Sequence, residues 1–139
     1  MASTIQDVMT KKPVVCDATT VLTEAAALMR DRDIGDVLVE RDGTFYGLVT
    51  DRDLVVRGVA DGKDPNSTRI GDICSRDLVT TSPSTRVEDV IRLMRDQALR
   101  RVPVLEDGKA VGIVSLGDLA IEADGEAALA DISAAEPNN

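Results

Sequence analysis

The chain repeats itself. A shift of 65 positions, which carries Ile5 onto Ile70, aligns the two halves without a gap. Asp7 meets Asp72, and Leu28-Met29-Arg30-Asp31 meets Leu93-Met94-Arg95-Asp96. Val37 and Val39 meet Val102 and Val104, Asp42-Gly43 meets Asp107-Gly108, Gly47 meets Gly112, and Asp53-Leu54 meets Asp118-Leu119. A repeat of this kind limits the fold to two copies of one supersecondary unit, each too small to bury both faces of its own sheet.

Each copy reads in the same order. A short amphipathic turn (Ile5–Met9 or Ile70–Cys74) precedes a strand (Pro13–Cys16 or Leu78–Thr81). A helix follows, over about Val21–Arg32 or Arg86–Gln97. Leu22, Ala25, Ala26 and Met29 form the apolar stripe of the first helix, and Val87, Val90, Ile91 and Met94 that of the second, at i, i+3, i+4, i+7 spacing. Thr85 and Glu88 have capping-box spacing ahead of the second helix. A hairpin then turns through Asp42-Gly43 or Asp107-Gly108, a pair suited to the positive φ angles of a type I′ turn. A last helix starts at Thr50 or Ser115. The expected organisation is repeat one over 1–62, a polar linker over 63–69, repeat two over 70–124 and an acidic Ala-rich tail over 125–139. The fold class is α/β (α+β), two β-α-β-β-α repeats packed around a pseudo-twofold axis.

With one Tyr, one Phe and no Trp in 139 residues, the interior must be aliphatic. A net charge of −9, and no Lys/Arg run longer than Lys11-Lys12 or Arg100-Arg101, argue against nucleic-acid binding. No apolar run is long enough to span a membrane, so the expected compartment is cytoplasmic. There is no His, and Cys16 and Cys74 are far apart, so neither a metal site nor a catalytic base is indicated. The chain reads as a binding protein rather than an enzyme. Cys16 and Cys74 read as small packed hydrophobes, with a redox role as the alternative.

The β-α-β-β-α order, the Asp-Gly hairpin and the segment Gly47-Leu-Val-Thr-Asp-Arg-Asp53 resemble a CBS domain. Gly112-Ile-Val-Ser-Leu-Gly-Asp118 and Arg101-Val-Pro-Val104 repeat the likeness in copy two. It runs from Ile5 to about Glu122, and Leu48 through Pro65 further resembles small stand-alone actinobacterial members of the hypoxic-response type. The resemblance implies a regulatory or sensory module for an adenosine-containing ligand (AMP, ADP, ATP or S-adenosylmethionine). Thr50, Asp53, Ser115 and Asp118 would contact ribose or phosphate, and Arg100 or Arg101 would meet the anion. No cofactor is implied beyond such a nucleotide. The resemblance also implies a homodimer, with helix faces near Val21–Arg32, Leu54–Val59 and their copy-two equivalents at the interface, and an unidentified effector protein. The alternatives stand beside these. Thr50-x-x-Asp53 and Ser115-x-x-Asp118 can serve only as helix caps. The arginines can be an exposed pair balancing an acidic surface. The whole chain can be a dimeric scaffold that binds no nucleotide. On charge, Gly35, Asp36 and Asp51 in copy one against Arg100 and Arg101 in copy two rank copy two as at least as good a nucleotide site.

Overall fold

The computed structural model describes residues 3–117 and Leu119. In chain order the elements are α1 (Ile5–Val8), β1 (Thr10–Lys11), β2 (Val15–Asp17), α2 (Leu22–Arg32), β3 (Asp36–Arg41), β4 (Thr44–Thr50) and α3 (Asp51–Asp53). A π-helical turn (Leu54–Val59) and a 3-10 turn (Ile70–Asp72) follow, then α4 (Val87–Gln97), β5 (Arg101–Glu106) and β6 (Lys109–Ser115). The mixed α/β class expected from the sequence is found. Asp118 and the tail from residue 125 lie outside the described residues. So do the other residues expected in the last helix beyond Gly117, apart from Leu119.

The chain forms two compact units. One is Pro13–Leu78; the other joins the residues up to Lys12 to those from Val79 onward. The bounds 1–62 and 70–124 therefore mark duplicated sequence and not compact units, because each repeat's opening turn is built into the unit that holds the other repeat's helix and hairpin. The backbone shows how. In the Pro13–Leu78 unit, Ile70 N–H donates to Thr20 C=O (2.8 Å), Leu22 N–H to Thr68 C=O (3.0 Å) and Gly71 N–H to Ala18 C=O (3.0 Å). In the other unit, Ile5 N–H donates to Thr85 C=O (2.8 Å), Val87 N–H to Ser3 C=O (2.9 Å) and Gln6 N–H to Pro83 C=O (3.0 Å). These bonds correspond position for position under the repeat. Two of them, from Leu22 and Val87, satisfy the first N–H groups of α2 and α4, which have no intrahelical partner.

This overrides the expected cap. Helix α4 starts at Val87 with Arg86 as its N-cap and no side-chain cap bond. Thr85 Oγ1 is instead paired with Ser82 Oγ at 3.0 Å, and Glu88 forms an ion pair with Arg86. Once Ser3 supplies a carbonyl to Val87, no side-chain acceptor is required there.

The Pro13–Leu78 sheet has the order β2-β3-β4, with β2 parallel to β3 and β4 antiparallel to it. The other sheet has the order β1-β6-β5, both pairs antiparallel. The strand expected at Leu78–Thr81 is reduced to a single parallel bridge, Thr81 to Val104. The cause is chemical. In repeat one, Leu38 N–H donates to Val14 C=O at 3.0 Å; its counterpart, Pro103, has no N–H to offer. Both hairpins turn as expected, with Asp42 (φ 54°), Gly43 (φ 76°), Asp107 (φ 54°) and Gly108 (φ 79°) all in the left-handed region.

Each unit has its own aliphatic core. Leu22, Ala25 and Met29 of α2 pack on Val37, Val39 and Val49, closed by Ile70 and Ile73. Val87, Val90 and Met94 of α4 pack on Val102, Val104 and Val114, closed by Ile5 and Leu119. Of the predicted stripes, Ala26 is exposed and Ile91 half-buried. The buried face is narrower than the full i, i+3, i+4, i+7 set.

Gly47 and Gly112 lie within their strands, each directly after the extra residue of a β-bulge, Tyr46 and Val111. A Cβ on Gly47 would collide with the Ser75 carbonyl oxygen; one on Gly112 would lie 2.5 Å from Met9 Sδ and 3.0 Å from Thr10 O. A backbone oxygen held by its own ladder bond gives way less easily than a thioether. Gly47→Val is expected to destabilise by about 2 kcal/mol or more, and Gly112→Val by less. Thermal unfolding of both variants checks the order; equal or absent shifts would refute it.

Candidate ligand site at the strand-to-helix turn

The site residues of repeat one follow from the end of β4. Thr50 is the N-cap of α3: its Oγ1 accepts from Asp53 N–H (3.1 Å), while Asp53 Oδ2 accepts from Thr50 N–H (2.9 Å). This is the reciprocal cap that the spacing allowed. It does not exhaust either side chain. The Thr50 hydroxyl keeps its own proton to donate, and Asp53 Oδ1 keeps its lone pairs. The Asp53 side chain is only 15% exposed, whereas Arg57 is half exposed.

Arg57 was not picked out from the sequence. Its Nε lies 3.7 Å from Asp53 Oδ1, and its Nη1 donates to Ile73 C=O at 3.0 Å. The clue available was the i, i+4 spacing of Asp53 and Arg57. The segment expected as ordinary helix after Asp53 is a π-helical turn, with Ala60 N–H donating five residues back to Val55 C=O (2.8 Å). Gly58 is buried in that turn, and a Cβ there would lie 2.8 Å from Leu22 Cδ1. Asp51 N–H donates to Gly35 C=O (3.0 Å), which ties the turn to the start of β3. The absent Cβ of Gly35 would be 3.3 Å from Asp51 Oδ2.

In repeat two the structure brings together the expected residues that it describes. Arg101 pairs with Ser115 across β5 and β6, and Leu116 N–H donates to Arg100 C=O at 3.1 Å. These match Asp36 opposite Thr50, and Asp51 bonded to Gly35, in repeat one. The second expected carboxylate, Asp118, lies outside the described residues.

Each unit also has a cavity that the motif residues do not line. One, of about 320 Å³, is bounded by Asp17, Thr19, Arg41, Tyr46, Arg69 and Asp72; the other, of about 360 Å³, by Gln6, Met9, Lys11, Lys12, Glu106 and Val111. Beside the first, Arg76 stacks on Tyr46, its guanidinium 3.5 Å from the ring centre and its Nε donating to Tyr46 C=O at 2.9 Å. Among the described residues, no group of three or more His, Cys, Asp or Glu side chains is arranged to hold a metal ion.

Cys16 is half-buried and Cys74 buried, both as free thiols. Burial pushes both thiols above the ordinary range, assisted at Cys16 by Glu24 and opposed at Cys74 by Arg76. Reactive thiolates need the opposite shift. Because the folded-state values are raised, the thiols stabilise the fold fully below the unfolded thiol pKa and lose that contribution as pH rises through the folded value. A disulfide reagent at neutral pH is expected to label both more slowly than free cysteine. Labelling of either at or above the free-thiol rate would overturn this reading.

With this geometry in hand, comparison with known proteins decides the family. The CBS domain model matches residues 5–58 and again 70–124. The chain belongs to the CBS domain family. A Bacillus subtilis relative, the uncharacterized protein YlbB, is 42% identical over 135 residues, covering 93% of this chain and 90% of its own. Hypoxic response protein 1 of Mycobacterium tuberculosis is 32% identical over 119 residues, covering 85% of this chain and 83% of its own, in line with the narrower resemblance read from Leu48 to Pro65. The crystal structure of Hypoxic Response Protein I with two coordinated zinc ions superposes with a TM-score of 0.78 at 31% identity, over 86% of this chain and 98% of that one. That of CBSX2 in complex with AMP superposes at 0.73 and 27% identity, over 86% and 95%. CBS pairs are regulatory modules, and some bind AMP. No helix among the described residues is long and apolar enough to cross a membrane.

Proposed function

We propose that this CBS pair is a non-catalytic sensor of an adenosine-containing ligand, with AMP the first candidate. The observation that carries the reading is the duplicated strand-to-helix turn. In repeat one it presents a hydroxyl and a largely buried carboxylate 3.1 Å or less from each other's backbone N–H, each with hydrogen-bonding capacity left over. A carboxylate accepts from both hydroxyls of a ribose, and an adjacent Thr or Ser hydroxyl can donate to ribose or phosphate oxygen. The proposed ligand residues are Thr50 and Asp53 in repeat one, and Ser115 and Asp118 with Arg100 or Arg101 in repeat two. The AMP complex of CBSX2 supports the ligand class. The proposal places the chain in the cytosol, where its two free cysteines stay reduced, and assigns its output to a separate effector protein.

A thermal-shift panel of AMP, ADP, ATP, NADH and S-adenosylmethionine tests the reading. A true ligand at a hundred times its Kd stabilises by about 2.7 kcal/mol. AMP is expected to raise the melting temperature in proportion to the logarithm of its concentration. No shift with any of the five would leave the scaffold reading as the better one.

The reading includes a homodimer. Val55, Val56 and Val59 on the π-helical turn are 58%, 44% and 67% exposed. Three large apolar side chains on one short turn form a patch that a second copy would cover. Light scattering at micromolar concentration is expected to give twice the chain mass, and Val55→Asp with Val59→Asp to give the single mass. A monomeric unmodified chain would overturn the dimer.

A further inference from the structure

We propose that Arg57 is a ligand-binding residue of the repeat-one site, the cation that recognises the phosphate of a nucleotide whose ribose sits on Asp53. The inference rests on the adenosine reading above and adds a residue that the repeat motif does not contain.

The first support is position. Arg57 Nε lies 3.7 Å from Asp53 Oδ1, so its half-exposed guanidinium stands beside the carboxylate that the ribose hydroxyls would engage, on a side chain long enough to reach a phosphate carried by the same ribose. The second is anchoring. The bond from Nη1 to Ile73 C=O uses one donor and fixes the guanidinium plane, so ordering the side chain on binding loses little further entropy. The remaining N–H groups, on a side chain half exposed to solvent, suit a planar two-point contact to phosphate. The third is the contact to Asp53 itself. At 3.7 Å it lies beyond a direct hydrogen bond, so the guanidinium is not used up by the carboxylate.

The repeat supplies an internal control. Sixty-five residues on from Arg57 the sequence has Glu122, and where repeat two has Arg100 and Arg101, repeat one has Gly35 and Asp36. Each copy therefore has a cation for an anionic ligand, but from opposite sides of the turn: from the closing helix in repeat one, from the start of the hairpin in repeat two. The sequence ranking of the sites on charge omitted this exchange. The two sites are chemically non-equivalent, and Arg57 acts only on the first.

Calorimetry of AMP against adenosine on the full chain tests this. Arg57→Gln keeps a donor for the Ile73 carbonyl and removes the charge. It is expected to weaken one class of AMP site by about tenfold, leaving the other class and the affinity for adenosine unchanged; Arg57→Lys should recover most of the loss. In the unmodified chain, AMP but not adenosine should shift the Arg57 Nε resonance, a readout that holds even if the Gln variant fails to fold. An unchanged AMP isotherm in Arg57→Gln, or equal weakening of AMP and adenosine, overturns the role of Arg57 while leaving the adenosine reading intact. Absence of AMP and adenosine binding by the unmodified chain overturns both.

Discussion

The structure depends on how the first backbone groups of two helices are satisfied. Neither α2 nor α4 has a side-chain cap. Their opening N–H groups find carbonyls in the segments that introduce the other repeat, Thr68 for Leu22 and Ser3 for Val87. The same segments place Ile70 and Ile5, each fully buried, in the two cores. A buried isoleucine adds about 2 kcal/mol of transfer free energy, and several otherwise orphaned N–H groups are paired in the same few residues. A single copy of the repeat, cut at its sequence bounds, has neither the lid nor the acceptors. That is why the duplicated unit occurs as a pair on one chain.

The candidate site is a by-product of the same economy. β4 leads straight into a helix, and the turn between them needs a cap. Thr50 and Asp53 supply one. A capping carboxylate fixed by a backbone N–H is also a preorganised acceptor, so holding the turn and holding a diol are compatible uses of one side chain. The widened π-helical turn beyond it carries Arg57 over Asp53 and onto Ile73 C=O. Ile73 lies in the opening turn of repeat two. Arg57 is thereby tied to a residue that helps close the core of the Pro13–Leu78 unit.

Much of this was legible in the sequence because the repeat checks itself. The Asp-Gly hairpins, the two helices, the aliphatic core and the mixed α/β class all follow from local pattern read twice. What stayed hidden was non-local. Thr85 and Glu88 have capping spacing, but a carbonyl eighty-odd residues away took the role, and spacing cannot show that. Leu78–Thr81 reads as a strand, yet pairing depends on Pro103 in the partner strand. At the site, Thr50 and Asp53 were found because the motif repeats. Arg57 was missed because it does not: its counterpart carries the opposite charge.

Native-state hydrogen exchange on Ile5→Ala tests the exchanged architecture most directly. Removing a fully buried isoleucine costs on the order of 2–5 kcal/mol in the core that holds it. If Ile5 closes the core of repeat two, protection should fall most at the amides of Val102, Val104 and Val114, which share its cluster. Those of Val37, Val39 and Val49 should be affected less. Loss of protection concentrated at Val37, Val39 and Val49 would place Ile5 in the core of its own repeat and contradict the exchange.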